Sequence, residues 1–188
     1  MRIIAGTAKG TKMQLVPGDQ TRPIADRVKE SLFQIIGPFF DGGLVLDLFA
    51  GTGSLGLEAL SRGVDKAVFV DQSSASIKTI LTNARLTRFD EHVTVYRREV
   101  FVVLCQLLAD KNLFSIVFLD PPYDKDKLLL SSLDKLSTGE LLEPDAIVVV
   151  KSASNIQLPT SVGRLQLYRK LTYGITTIHL FEREPDPQ

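Results

Sequence analysis

The segment that most constrains the fold is Leu44-Val45-Leu46-Asp47-Leu48-Phe49-Ala50-Gly51-Thr52-Gly53-Ser54-Leu55-Gly56. An apolar strand runs into three glycines spaced Gly51-x-Gly53-x-x-Gly56, and helix-like Leu57-Glu58-Ala59-Leu60 follows. Asp71 closes the next apolar strand, Ala67-Val68-Phe69-Val70, about twenty residues further on. Past this point strand and helix patterns alternate. Strands are expected near 44–48, 67–71, 93–97, 115–120 and 146–150, and helices near 54–62, 74–88, 99–110 and 125–137. Such alternation specifies an α/β fold with a mostly parallel sheet and helices on both faces. Ala146-Ile147-Val148-Val149-Val150 is apolar throughout, as a strand buried on both faces should be. The ending changes pattern. Residues 164–171 and 175–181 flank Tyr173-Gly174 and read as an antiparallel hairpin on the sheet edge, giving seven strands. At the other end, residues 1–20 read as a short basic hairpin, a β arm. Apolar Val28, Leu32, Phe33, Ile35 and Ile36 then predict a helix that Gly37-Pro38 terminates.

In an open α/β sheet, ligands gather at the carboxyl ends of the strands. Asp47, Asp71, Glu99 and Asp120 fall at or just after four successive strand ends and are expected to line one crevice. The glycine pattern with a later acid is formally a dinucleotide fingerprint, with glycines for backbone approach and the acid for ribose hydroxyls. Asp47 separates two cofactor classes. A dinucleotide presents an anionic pyrophosphate to the helix start, which a carboxylate ahead of the turn repels. S-adenosylmethionine presents a cationic sulfonium and ammonium instead. At an effective dielectric of about 20, opposite charges roughly 4 Å apart gain about 4 kcal/mol before desolvation. The sign of the charge favours the sulfonium cofactor.

Asp120-Pro121-Pro122-Tyr123 follows the apolar run Ser115-Ile116-Val117-Phe118-Leu119. A carboxylate and a rigid proline carbonyl can accept the two hydrogens of a planar amine while the ring stacks on the base that carries it. The prolines remove two donors and fix φ near −65°, which aims the carbonyls. The same four residues also suit an ordinary strand-to-loop turn.

Composition narrows the classes. The 188 residues fit one domain of the usual ~100–200. Hydrophobic residues at 44% and charged residues at 23% suit a globular protein. No apolar stretch approaches the ~20 residues that span a bilayer, and Met1–Gly6 lacks a signal-peptide core. No membrane association is expected, and the default location is cytoplasmic. The single cysteine, Cys105, reads as a buried structural thiol. His92 and His179 lie too far apart in sequence for a Cys/His centre, so no metal is expected. Net charge is zero but unevenly spread: +3 over residues 1–22, −4 over 110–150 and +4 over 151–183. Chance variation between solvated faces is one reading. The other is a positive rim at the chain ends around a nucleic-acid site.

These residues resemble a class I S-adenosylmethionine-dependent methyltransferase with a Rossmann-like fold. More narrowly, the chain resembles the RsmD family, which methylates guanine N2 in small-subunit (16S) ribosomal RNA. The likeness is carried by Arg2-Ile3-Ile4-Ala5-Gly6 with Lys9-Gly10, Arg22-Pro23 with Asp26-Arg27-Val28-Lys29-Glu30-Ser31-Leu32-Phe33, the stretch from Asp47 to Gly63, Asp120-Pro121-Pro122-Tyr123, and Tyr173-Gly174. It implies S-adenosylmethionine as cofactor, contacted by Asp47, Phe49, Ala50, Gly51, Gly53, Asp71, Gln72, Glu99 and Val100. It implies that Asp120, Pro121 and Pro122 hold the target amine, with Tyr123 stacked on its base. It implies that Arg22, Arg27 and Lys29 lie near the cofactor and RNA, while Lys9 and Lys12, with Arg22, are expected to meet RNA as part of the basic rim. The implied organisation is a single domain over 1–188, with a basic arm (1–22), a catalytic core (23–183) and a frayed tail (184–188). The implied partner is small-subunit rRNA, free or in the assembled subunit, and a monomer is the default. Glu99, Lys151, Ile24 and Ala25 depart from the family pattern, so Lys151 receives no role from it. An adenine-N6 methyltransferase, a nicotinamide-dependent oxidoreductase and a non-catalytic RNA-binding protein are the rival readings.

Overall fold

The computed structural model describes residues 1–18, 24–122, 126–138 and 140–185. It divides into two compact units, Met1–Glu99 and Val100–Gln188.

In the first unit, helix α1 (Asp26–Ile36) precedes strand β1 (Leu44–Leu48), helix α2 (Ser54–Ser61), strand β2 (Lys66–Asp71), helix α3 (Ser74–Thr87) and strand β3 (Val93–Arg97). The three strands are parallel in the order β3-β2-β1, with Leu48 opposite Val70 and Asp71 opposite Arg97. Helix α1 buries Lys29, Leu32, Phe33 and Ile36, the i, i+3, i+4, i+7 set of one helix face. All eight residues of α2 are buried, which is why its sequence is nearly free of charge. The expected N-terminal β arm reduces to one antiparallel bridge, Arg2 to Lys12. Ile3, Met13 and Val16 nonetheless sink into the core, so the arm is packed down.

In the second unit, helix α4 (Val100–Ala109), strand β4 (Phe114–Leu119) and helix α5 (Asp126–Ser137) lead to strand β5 (Leu142–Ala153). Strands β6 (Ser161–Val162), β7 (Leu165–Tyr173) and β8 (Thr176–Arg183) complete it. β4 and β5 are parallel, with Leu119 opposite Val150. β5 pairs antiparallel with β8, and β8 with β7, so the expected terminal hairpin is present. The fold is the expected Rossmann-like α/β type, but eight strands form among the described residues rather than seven. The addition is the two-residue β6, too short to leave a sequence pattern. Cys105 corrects a second expectation. α4 buries Val100, Val103, Leu104 and Leu107, and Cys105 lies off that face, exposed.

Candidate active site

Asp47 ends up almost wholly buried, 2% exposed, near the end of β1. Its Oδ2 accepts a hydrogen bond from the Gly56 amide at 3.2 Å. The N-cap of α2 is Gly53, which has no side chain to satisfy the first-turn amides. Asp47 supplies that acceptor from the neighbouring strand, and its charge suits the positive end of the helix. Gly56 is dictated by packing, since a Cβ there would lie 2.4 Å from the Phe69 ring. Gly51 differs. It adopts φ +54° with nothing within 4 Å of where a Cβ would stand, so the turn presents bare backbone beside open space.

Asp71, partly exposed at the end of β2, grips that turn. Its Oδ2 accepts from the Gly51 amide at 2.9 Å and its Oδ1 from the Ser73 amide at 2.8 Å. An ionised carboxylate offers about four acceptor sites, so this one keeps capacity for two hydroxyl donors. Ala50 is buried and donates its amide to the Val70 carbonyl at 3.0 Å. Phe49 holds φ at +62°, an uncommon conformation for a bulky residue. Gln72 is exposed and Glu99 partly so.

In the second unit, Asp120 follows β4 directly, Pro121 is buried and Pro122 is exposed. Tyr123 lies outside the described residues. Because Leu119 stands opposite Val150, the next residue on each chain, Asp120 and Lys151, emerges on the same side of the sheet end. Lys151 Nζ reaches both carboxylate oxygens of Asp120, at 2.7 and 2.8 Å. Burial pushes the Asp120 carboxyl above its usual range, and the Lys151 ammonium opposes that. Val100 is 2% exposed at the start of α4, so its side chain belongs to the core.

The basic residues divide. Lys9, Lys12 and Arg27 are exposed, as a polyanion contact requires. Arg22 lies outside the described residues. Lys29 must be corrected: it is fully buried and pairs with Glu58 at 3.1 Å, so it serves the interior and not an RNA surface. Burial lowers its pKa, with Glu58 working in the other direction. Of the bases over 151–183, Lys151 is engaged by Asp120 and Arg183 is buried, which shrinks the expected positive rim.

Two polar centres escaped the sequence reading. Glu58, fully buried, accepts from the amides of Ile4 (2.8 Å) and Ala5 (3.0 Å), and it pairs with Arg62 (2.8 Å) besides Lys29. Asn83, also fully buried, accepts from the Gln14 amide at 2.7 Å. Its Nδ2 donates to the Gln14 carbonyl (3.0 Å) and the Thr52 carbonyl (2.9 Å), tying the arm to the glycine turn. The signal was present in both cases: a polar residue placed on the apolar face of a helix.

The family model described as Conserved hypothetical protein 95 matches residues 1–182. YlbH of Bacillus subtilis (strain 168) is 42% identical over 185 residues, which is 97% of this chain and 99% of that protein. Ribosomal RNA small subunit methyltransferase D of Escherichia coli (strain K12) is 32% identical over 184 residues, 98% of this chain and 90% of that one. The solved structure of yhhF from Escherichia coli superposes with a TM-score of 0.84 at 33% identity, covering 98% of each chain. A shared model over nearly every residue, and relatives alike along almost their full length, place the chain in the RsmD family, that of Ribosomal RNA small subunit methyltransferase D.

Proposed function

We propose that this protein transfers a methyl group from S-adenosylmethionine to the exocyclic N2 amine of a guanine in small-subunit ribosomal RNA. The observation that carries the reading is Asp120, a partly exposed carboxylate at the end of β4 followed by Pro121 and Pro122. The relatives' name supplies the substrate class. In this reading the chain works as one catalytic domain and a monomer, in the cytoplasm.

The residues present suit the cofactor. Asp71 retains acceptor capacity for a pair of ribose hydroxyls after taking the Gly51 and Ser73 amides. The open space at Gly51 lets a ligand approach the backbone. Asp47 anchors the turn and contributes negative charge from beneath it, with Phe49, Ala50 and Gly53 shaping the loop. Glu99 or the Val100 backbone is assigned to the adenine and Gln72 to the ribose side. When bound, S-adenosylmethionine supplies an electrophilic methyl group.

The protein's remaining task is to aim a nucleophile. Positioning of that kind is worth roughly 7–11 kcal/mol of barrier. An exocyclic amine delocalises its lone pair into the ring, and hydrogen bonds from it to Asp120 and the Pro121 carbonyl favour a pyramidal nitrogen with its lone pair freed. The same acceptors stabilise positive charge as it develops on nitrogen. Tyr123 is assigned to stacking on the base, which must be splayed from its helix or lie in a loop. Lys9, Lys12, Arg22 and Arg27 are assigned to phosphates.

Asp120→Ala tests the assignment. Turnover should fall to background with S-adenosylmethionine affinity within a few-fold of wild type. Normal turnover in that variant removes Asp120 from the mechanism.

A further inference from the structure

The partner of Asp120 has no role in the reading above. β4 and β5 run parallel with Leu119 opposite Val150, and the two strands deliver a carboxylate and an ammonium to adjacent positions. The side chains are only 27% and 16% exposed, and one nitrogen spans both oxygens at 2.7 and 2.8 Å. Among the described residues, Lys151 on β5 is the charged group that acts on Asp120.

We propose that Lys151 is a positioning residue that holds Asp120 as a charged, oriented acceptor for the target amine. The inference rests on the catalytic role given to Asp120 above. Three consequences of the geometry support it. A carboxyl group partly removed from water tends to take up a proton, and burial pushes Asp120 that way. Once protonated, it would present a donor where the amine needs an acceptor. An ammonium in contact keeps the acceptor form in place at lower pH. Second, a nitrogen shared between both oxygens fixes the plane of the carboxylate about its last torsion, which is otherwise broad. Each oxygen keeps a further acceptor site for an N–H of the base. Third, the adjacent positive charge lowers the basicity of Asp120. The carboxylate then accepts hydrogen bonds from the amine without removing its proton, which leaves to solvent after transfer.

The sign of the effect is fixed. Removing the ammonium leaves burial unopposed, so Asp120 stays protonated to higher pH and the acid limb of activity moves upward. The test uses the full chain as wild type, K151M, K151Q and K151R. Carboxyl-carbon NMR of aspartate-labelled protein, with D120N to assign the signal, gives the titration midpoint of Asp120 without requiring activity. The pH profile of kcat/KM for methyl transfer is measured in parallel. The proposal predicts a midpoint about one pH unit or more higher in K151M and K151Q, with K151R near wild type. The acid limb should move with the midpoint, so that transfer at a fixed pH on that limb falls about tenfold for every pH unit the midpoint rises. An Asp120 midpoint unchanged in both neutral variants overturns the proposal. So does a lowered rate with an unmoved limb. A midpoint that depends on Lys151 in a wild-type protein that methylates no ribosomal RNA would support the Lys151–Asp120 device while refuting the function it was proposed to serve.

Discussion

Glu58 gathers two backbone amides, an ammonium and a guanidinium around a carboxylate that has no contact with water. Its partner Arg62 also lies over the Phe33 ring, 4.7 Å from the centroid. Burying such a group is unfavourable alone, and removing it strands two cations, which costs about 3–5 kcal/mol. Glu58→Ala should therefore lower unfolding free energy by about that amount, as read by urea denaturation. A loss under about 1 kcal/mol would mean that water reaches the cluster. Lys29 shows how a family likeness can mislead. The likeness puts Lys29 near RNA, yet position 29 shares the 29, 32, 33, 36 face with Leu32, Phe33 and Ile36. Helical period was the better guide, and it also decides Cys105, which falls between the buried positions of α4. Asp47 is a different case. Its charge sign pointed to a cationic cofactor, and the structure adds a local duty, that of capping α2.

At the scale of elements, strands and helices were legible wherever a hydrophobic period lasted more than a turn. β1 and β3 fall where the sequence puts them, and α2 and α3 end one residue short. β5 begins earlier, at Leu142, because a register irregularity between Phe114 and Ile116 absorbs the exposed stretch from Pro144. The N-terminal arm was harder to read, since its order comes from distant polar partners and not from a ladder of its own. Asn83, on the buried face of α3, binds Gln14 through both backbone groups and also reaches Thr52 in the glycine turn. Asn83→Ala should release the arm while α3 persists. In hydrogen exchange, the Gln14 amide should lose protection by tenfold or more, against little change for amides within β1. Equal loss across both segments would mean that Asn83 supports the whole unit and not the arm.

At the scale of the whole molecule, the fold was readable because parallel strands need crossovers and so imprint an alternating pattern on the chain. The strand-end carboxylates were readable for the same reason. The pairing of Asp120 with Lys151 was not, because it depends on which residue of β5 lies beside the end of β4. That register is set by packing along both strands, not by spacing in sequence. The neutral net charge hid a similar distinction. Lys29 and Lys151 are held by carboxylates and Arg183 is buried, which leaves Lys9, Lys12 and Arg27 among the exposed cations assigned to RNA.

The most direct measurement is transfer of labelled methyl from S-adenosylmethionine to unmodified small ribosomal subunits and, separately, to their naked RNA, followed by digestion to nucleosides. The account predicts label in N2-methylguanosine, and the better substrate will show whether the assembled subunit is what the enzyme reads. Label in N6-methyladenosine, or none with the cofactor shown to bind, would contradict it.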